Sequence, residues 1–323
     1  MTITAPYPTT HDRADGGTPN TTEFIDNVCR GALDGIPVEF EDAVRLMELG
    51  ATDVPRLLSW ANRIRERHHG NRIHLCSIVN AKSGGCAEDC KFCSQSVMYQ
   101  TGVEVYSFLD KEEALEAAER AGEARAQALG IVAAWRGLKE GRLLDQVCER
   151  ISDVSNSGSV RADASLGIIE DVAVAERLRD AGLSVYNHNL ESSRSFFPNV
   201  CTTHGYDERI QTLHNMKSAG VKVCSGGIMG MGETRRQRVE LAVELREIDV
   251  DVVPINFLMT FEGTPFEDAD ELTPMECLQA KKLVNTMNWR PMLEEHYQDH
   301  NDEVVDVEDN NGYDYEEDVG EKD

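Results

Sequence analysis

The sequence predicts an α/β fold: a partial (β/α) barrel of the TIM type, about six βα units long, with disordered N- and C-terminal tails. Two observations carry this. Between residues 72 and 287, short β-branched runs alternate with longer amphipathic, charged runs. Outside that span the alternation stops, and the last 25 positions hold 12 acidic residues and a single lysine.

The elements follow in order. Residues 1–22 are polar, contain no apolar run and show no signal peptide, so they read as a disordered tail. A helical N-terminal extension spans 23–71, with clear helical periodicity over 41–67 broken near 52–55. The barrel core is expected over 72–292. Its strands are 72–79, 129–135, 160–166, 183–187, 221–224 and 250–257. Its helices are 111–128, 140–154, 170–181, 207–219, 234–247 and 274–287. Gly182 and Gly220 stop two of those helices. Alternation of this kind demands a parallel sheet with right-handed crossovers, and it puts chemistry at the carboxyl ends of the strands. Residues 293–323 read as an acidic disordered tail with almost nothing to bury.

The formal net charge of the 323 residues is -26, which disfavours nucleic acid and anionic membranes as partners. Such an acidic surface suits a high-salt cytoplasm, where counterions screen its self-repulsion. No stretch is long and apolar enough to span a bilayer, so a cytoplasmic location is expected. In that compartment the nine cysteines point to metal binding or catalysis rather than to disulfides.

The loop after the first strand reads Cys86-Ala87-Glu88-Asp89-Cys90-Lys91-Phe92-Cys93 and is opened by Gly84 and Gly85. Three thiolates spaced C-x3-C-x2-C can hold three irons of a cubane cluster. The fourth iron then has no protein ligand and is open to the amino and carboxylate groups of a small molecule. Zinc is the alternative, but a structural zinc site wants four ligands, commonly in paired Cys-x2-Cys steps, and no second pair lies nearby.

With its lead-in Cys76-Ser77-Ile78-Val79-Asn80-Ala81-Lys82-Ser83, this loop resembles the radical SAM motif, specifically that of biotin synthases. Three further stretches share the resemblance: Tyr186-Asn187-His188-Asn189-Leu190-Glu191, Lys222 to Ile228 running on to Gly230-Met231-Gly232-Glu233-Thr234, and Val253-Pro254-Ile255-Asn256-Phe257-Leu258. It covers roughly residues 40 to 290. It implies a radical SAM sulfurtransferase that converts dethiobiotin to biotin. A [4Fe-4S] cluster on Cys86, Cys90 and Cys93 would cleave S-adenosylmethionine, and the resulting 5′-deoxyadenosyl radical would take hydrogen from dethiobiotin. An auxiliary cluster, [2Fe-2S] in the family, would supply sulfur. By the same resemblance, Asn189 and Glu191 bind the ribose of S-adenosylmethionine with Arg209 near it, and Asn256 bonds the ureido ring of dethiobiotin. An amide suits a ureido group because it both donates and accepts. The expected partners are an electron donor such as flavodoxin or ferredoxin and a second copy in a homodimer.

Plainer readings stay open for these stretches. Asn187, Asn189 and Glu191 are also ordinary polar positions closing a strand, the glycines from Gly226 to Gly232 also suit a plain tight turn, and Asn256 also suits a satisfied buried amide. Cys29, Cys148, Cys201 and Cys277 read as small buried apolar groups.

The family pattern breaks at the auxiliary cluster. Of its three cysteines and one arginine, only Cys224 is present; Gly130 and Asp163 stand at the other two cysteine positions. The arginine belongs to a segment expected after Pro291, which is missing with the last two βα units. Two expectations follow: a different auxiliary cluster using Cys224 and Cys76 at one barrel mouth, with Asp163 as a further donor, or a truncated, inactive remnant. Another small-molecule radical SAM enzyme, a mutase or maturase, is the rival activity.

Overall fold

The computed structural model describes residues 20–71 and 73–287. Of the tails expected at 1–22 and 293–323, residues 1–19 and 293–323 lie outside the described residues, as does the end of the barrel at 288–292; residues 20–22 instead open the first helix. In chain order the strands are β1 (Cys76–Lys82), β2 (Ala128–Ala133), β3 (Gly137–Leu138), β4 (Arg161–Ser165), β5 (Ile168–Ile169), β6 (Val185–Asn187), β7 (Lys222–Cys224), β8 (Gly227–Met229) and β9 (Ile255–Phe257). The helices are α1 (Thr21–Leu33), α2 (Phe40–Met47), α3 (Val54–His69), α4 (Lys111–Glu123), α5 (Arg142–Ser157), α6 (Val172–Asp180), α7 (Tyr206–Ser218), α8 (Arg235–Ile248) and α9 (Pro274–Met287).

The wall of the barrel is parallel throughout. β1, β2, β4, β6 and β7 pair side by side in that order. A sixth strand completes the described wall: Val252 bridges Cys224, and β9 then pairs with β8. β7 and β8 are thus one strand bent at Ser225 and Gly226, and this is why the sequence shows six units. Gly226 is what allows the bend. A Cβ there would lie 1.7 Å from the Pro254 carbonyl oxygen, closer than any side chain tolerates.

Alternation along each strand sorts the two faces. In β1, Val79 and Ala81 pack on the helices, while Cys76, Ile78 and Asn80 are exposed on the inner face. In β4, Ala162 and Ala164 are buried, and Arg161, Asp163 and Ser165 face inward. The free edge of β1 is covered by the chain that follows the cysteine loop. Tyr106 N donates to Ser83 O (3.2 Å) and Leu109 N to Ala81 O (2.9 Å), which blunts an edge otherwise open to pairing.

The helices begin and end where local chemistry dictates. Asp110 and Glu113 form a capping box at the start of α4. The sequence extends that helix to 128, but it stops at Glu123 because Arg125 turns left-handed (φ 57°) to lead into β2. The face that α4 buries is all alanine, Ala114, Ala117, Ala118 and Ala121, so the helix sits close to the sheet. α5 buries Leu144, Val147, Ile151 and Val154 at helical spacing and ends on left-handed Gly158.

The N-terminal extension starts earlier than its periodicity indicates. α1 opens at Thr21, where Asn20 Oδ1 accepts from Thr22 N (3.2 Å). A second core, including Ile25, Leu46, Leu57 and Ile64, packs α1–α3 with α8 and α9 against Met229 of β8 and Ile255 of β9. Among the described residues no helix is long and apolar enough to cross a membrane.

The bend at Gly226 yields a test. Gly226→Ala is expected to destabilise the chain by roughly 3 kcal/mol, because the methyl group must push two backbones apart. Urea unfolding measures it, and a change within 0.5 kcal/mol, about the range of neutral surface substitutions, would refute the steric account.

Candidate active site

Cys86, Cys90 and Cys93 lie on the loop after β1, at the carboxyl end of the sheet as expected. Cys86 and Cys90 are buried and Cys93 is half-buried. The loop doubles back on itself: Cys86 N donates to Gln95 O (3.1 Å) and Val97 N to Cys86 O (2.8 Å). Gln95 Oε1 accepts from Gly84 N (2.6 Å) and Ser83 Oγ (3.0 Å). Lys82 Nζ ties the loop to the sheet through Gly84 O (2.6 Å) and Ala134 O (2.8 Å). Burial pushes the Cys86 and Cys93 thiols up, so each needs a cation or metal to hold it as thiolate.

The two acids between the cysteines face the segment after the short 3-10 turn Phe197–Asn199, more than a hundred positions further along the chain. Asp89 accepts from Thr202 N (2.8 Å), Thr203 N (3.1 Å), Thr203 Oγ1 (3.0 Å) and the Thr202 hydroxyl. Burial pushes the Asp89 carboxyl up, but these bonds outweigh it and hold it well below the usual carboxylate range. Glu88 accepts from Thr203 Oγ1 (2.6 Å), Arg136 Nη1 (3.0 Å) and His204 Nδ1. Its burial is likewise outweighed by these donors.

His204 Nε2 in turn accepts from Arg209 Nε (2.9 Å). The buried Arg209 guanidinium gives Nη1 to Asn189 O (2.6 Å), lies 3.7 Å from Glu191 Oε1, and sets Nη2 3.9 Å from Cys90 Sγ. Arg209 therefore stands behind Asn189 and Glu191 and joins them to the cysteine loop. Asn189 Oδ1 accepts from Gly226 N (3.2 Å) at the bend of β7 into β8. Glu191 sits at φ 67°, a left-handed conformation that costs a residue of its type about 1–3 kcal/mol and that clusters at functional sites. Its Oε2 is buried without a hydrogen-bond partner. That orphaned acceptor fits a hydroxyl donor such as a ribose. Burial raises the Glu191 carboxyl, and Arg209 offsets part of the rise.

The model for the radical SAM superfamily matches residues 81–245. A biotin synthase of Trichlorobacter lovleyi is 46% identical over 259 residues, 80% of this chain and 78% of that protein. The chain belongs to the biotin synthase family. A second biotin synthase, of Geobacter sulfurreducens, is 43% identical over 79% of this chain and 78% of its own length. A solved methylornithine synthase superposes with a TM-score of 0.70 at 18% identity, over 81% of this chain and 77% of that one. At that identity the likeness speaks for the shared partial (β/α) barrel of the radical SAM class.

In this member of the biotin synthase family the inner face of the barrel departs from its sequence reading at Cys76. The thiols of Cys76 and Cys224 are expected at one mouth. The structure instead makes Cys76 the first residue of β1 and Cys224 the last of β7. The reason is register along the chain: β1 runs over Cys76–Lys82 rather than the expected 72–79, so Cys76 opens the strand. The two thiols still sense each other. Burial lifts Cys224 to about 12, Asn187 Nδ2 at 3.2 Å from its sulfur opposes the rise, and Asp163 and Cys76 add to it. Arg161 grips Asp163 with two bonds, Nε to Oδ1 (2.9 Å) and Nη2 to Oδ2 (2.8 Å). Asn256 is exposed, so it is not the satisfied buried amide that its apolar strand allows. With Ile255 turned to the outer core, alternation puts Asn256 on the inner face.

Three further readings change. Gly226 and Gly227 are places of close backbone approach, to Pro254 O and Glu191 O. Glu233 takes the amides of Gly230 and Met231, each at 2.8 Å, so this turn is organised by a carboxylate. Cys201 is buried, but it does not pack as an apolar group: its sulfur meets Asp89 Oδ1 (3.1 Å) and His204 Nδ1 (3.3 Å). The sequence signal for this set was the pair of acids inside the cysteine loop, which a spacing rule for thiols passes over.

The orphaned Glu191 sets up a pH test. Its carboxyl is raised by folding, so the folded chain binds that proton more tightly than the unfolded chain. The stability this contributes is present below about pH 4.5, its ordinary value, and is lost as pH rises through the folded value. Glu191→Gln is therefore expected to melt higher than the parent near neutral pH, with the gap closing in acid. A gap that does not change with pH in a melting series would contradict this.

Proposed function

We propose that this chain inserts sulfur into dethiobiotin to give biotin, with a [4Fe-4S] cluster on Cys86, Cys90 and Cys93 and with S-adenosylmethionine beside Asn189 and Glu191. The observation that carries the reading is the Arg209 bridge. One buried guanidinium touches Cys90 Sγ, Asn189 O and the Glu191 carboxylate, so the thiol loop and the ribose candidates form one unit. Bound there, cluster and S-adenosylmethionine would supply one-electron chemistry strong enough to attack an unactivated C–H bond. The chain's own task is placement. Asp89 and Glu88 fix the thiol loop, Glu191 accepts from a hydroxyl, Arg209 steadies both sides, and Asn256 offers a donor and an acceptor to a ureido group. Cys224, with Cys76 and Asp163 in electrostatic range, is the candidate wall for an auxiliary cluster. An electron donor of the flavodoxin or ferredoxin kind, a homodimeric state and a cytoplasmic setting belong to the same proposal.

One observation favours a second reading. Asp163 is already held by Arg161, and Gly130 brings no donor, so the auxiliary site is poorer than the family pattern. A different small-molecule radical SAM reaction needs no such cluster.

Two experiments decide. In anaerobically reconstituted protein, dethiobiotin is expected to stimulate 5′-deoxyadenosine formation, and Cys86→Ser/Cys90→Ser/Cys93→Ser is expected to lose both that product and the cubane's iron. Product formed equally well without dethiobiotin would favour the second reading. Asn256→Leu is expected to raise the KM for dethiobiotin about ten- to hundredfold, the loss of one or two hydrogen bonds, with iron content unchanged. An unaltered KM would remove Asn256 from the substrate site.

A further inference from the structure

A fourth thiol stands beside the cluster cysteines. The Cys90 and Cys201 sulfurs and a ring nitrogen of His204 lie within 4.8 Å of one another, all in buried residues. Among the described residues, Cys86, Cys90 and Cys93 do not gather so closely as a group. The backbone holds the Cys90–Cys201 juxtaposition in place. Lys91 N, one residue past Cys90, donates to Val200 O (2.9 Å), one residue before Cys201. Asp89, one residue before Cys90, accepts from Thr202 N (2.8 Å), one residue past Cys201. Two stretches of chain far apart in sequence are thus fastened on both sides of the two sulfurs. A disulfide of about 2.05 Å requires the two sulfurs to close only part of that separation, between segments the flanking hydrogen bonds already hold together.

A metal ion is the competing use of such a group, and the hydrogen bonds argue against it. His204 Nε2 accepts from Arg209 Nε (2.9 Å), so its proton resides on Nδ1, the nitrogen that faces Glu88 and Cys201. A protonated nitrogen has no lone pair for a metal.

We propose that Cys90 and Cys201 form a reversible disulfide when the cluster-free chain meets a peroxide. One thiolate attacks the O–O bond to give a sulfenic acid and release hydroxide, which takes up a proton as water. The other thiol's sulfur then displaces a second water. In sum, two thiols and one hydrogen peroxide give one disulfide and two waters. The sulfurs are oxidised and the peroxide is reduced. The bond shields Cys90 from the sulfinic state, which a thiol reductant does not reverse, and a dithiol returns both cysteines for cluster building. This inference rests on the loop geometry and is independent of which substrate the enzyme takes.

Cluster-free full-length protein, prepared with a chelator, is treated with one equivalent of hydrogen peroxide and mapped by mass spectrometry. The expected product is a cross-linked peptide pair joining Cys90 to Cys201, lighter by two hydrogens and split by dithiothreitol. Given at least two equivalents of hydrogen peroxide, one for each oxidation step, Cys201→Ser is expected to yield Cys90 sulfinic acid and to lose most of the iron taken up on later reconstitution, whereas the parent chain under the same treatment recovers its iron after reduction. A cross-link from Cys90 to Cys86 or Cys93 instead, or equal sulfinic acid in parent and variant, overturns the proposal. The parent peptide map decides alone if the variant fails to fold.

Discussion

Two carboxylates between three thiols govern this site. Glu88 and Asp89 sit inside the cysteine loop, yet their partners, Thr202, Thr203 and His204, lie on the segment before α7. A loop of small and polar residues has little of its own to hold it in one shape. Buried acceptors that take several backbone and side-chain donors remove that freedom, and each bond to a charged group is worth about 1.5–3 kcal/mol. Once the loop is fixed, Arg209 can reach from α7 to Cys90 on one side and to Asn189 on the other. The loop cysteines and the pair Asn189 and Glu191 are then positioned by the same hydrogen-bond network.

Much of this was legible in the chain. Hydrophobic periodicity marked all six βα units, because parallel strands covered by helices read as apolar runs between amphipathic ones. The C-x3-C-x2-C spacing marked the thiol loop at the carboxyl end of β1 because its thiols are neighbours in sequence. What was not legible depends on long-range pairing. Cys201 resembles a core cysteine until Asp89 is placed against it. The bend at Gly226 is invisible as periodicity, since a strand that turns and resumes is read as a short strand followed by a loop. Helix α1 was legible in part: Phe24, Ile25, Cys29 and Ala32 recur at helical spacing, but the polar tail before it masked where it starts. The overrun of α4 to 128 came from alanine, which favours helix wherever it stands, while the tertiary need to enter β2 beside β1 decided otherwise.

The inner face is occupied by an ion pair between Asp163 and Arg161, at a position where the resemblance implies a thiol. Such a pair in a half-buried setting satisfies itself, and breaking it leaves a lone charge facing low dielectric. The floor of the barrel is therefore electrostatically self-contained, and any chemistry there must compete with an existing partner. The mouth differs: Glu191 is strained, buried and short of a donor, a local conflict of the kind that marks a place kept for binding.

The stretch covering the free edge of β1 leaves the loop at Cys93 and returns along the strand through Tyr106 and Leu109. One piece of chain thus closes the thiol loop and guards the sheet. A chain whose loop has lost its grip bares a row of unpaired peptide groups to its neighbours in a crowded cell. Displacing that stretch would therefore open the sheet to self-association as well as disturb the thiol loop.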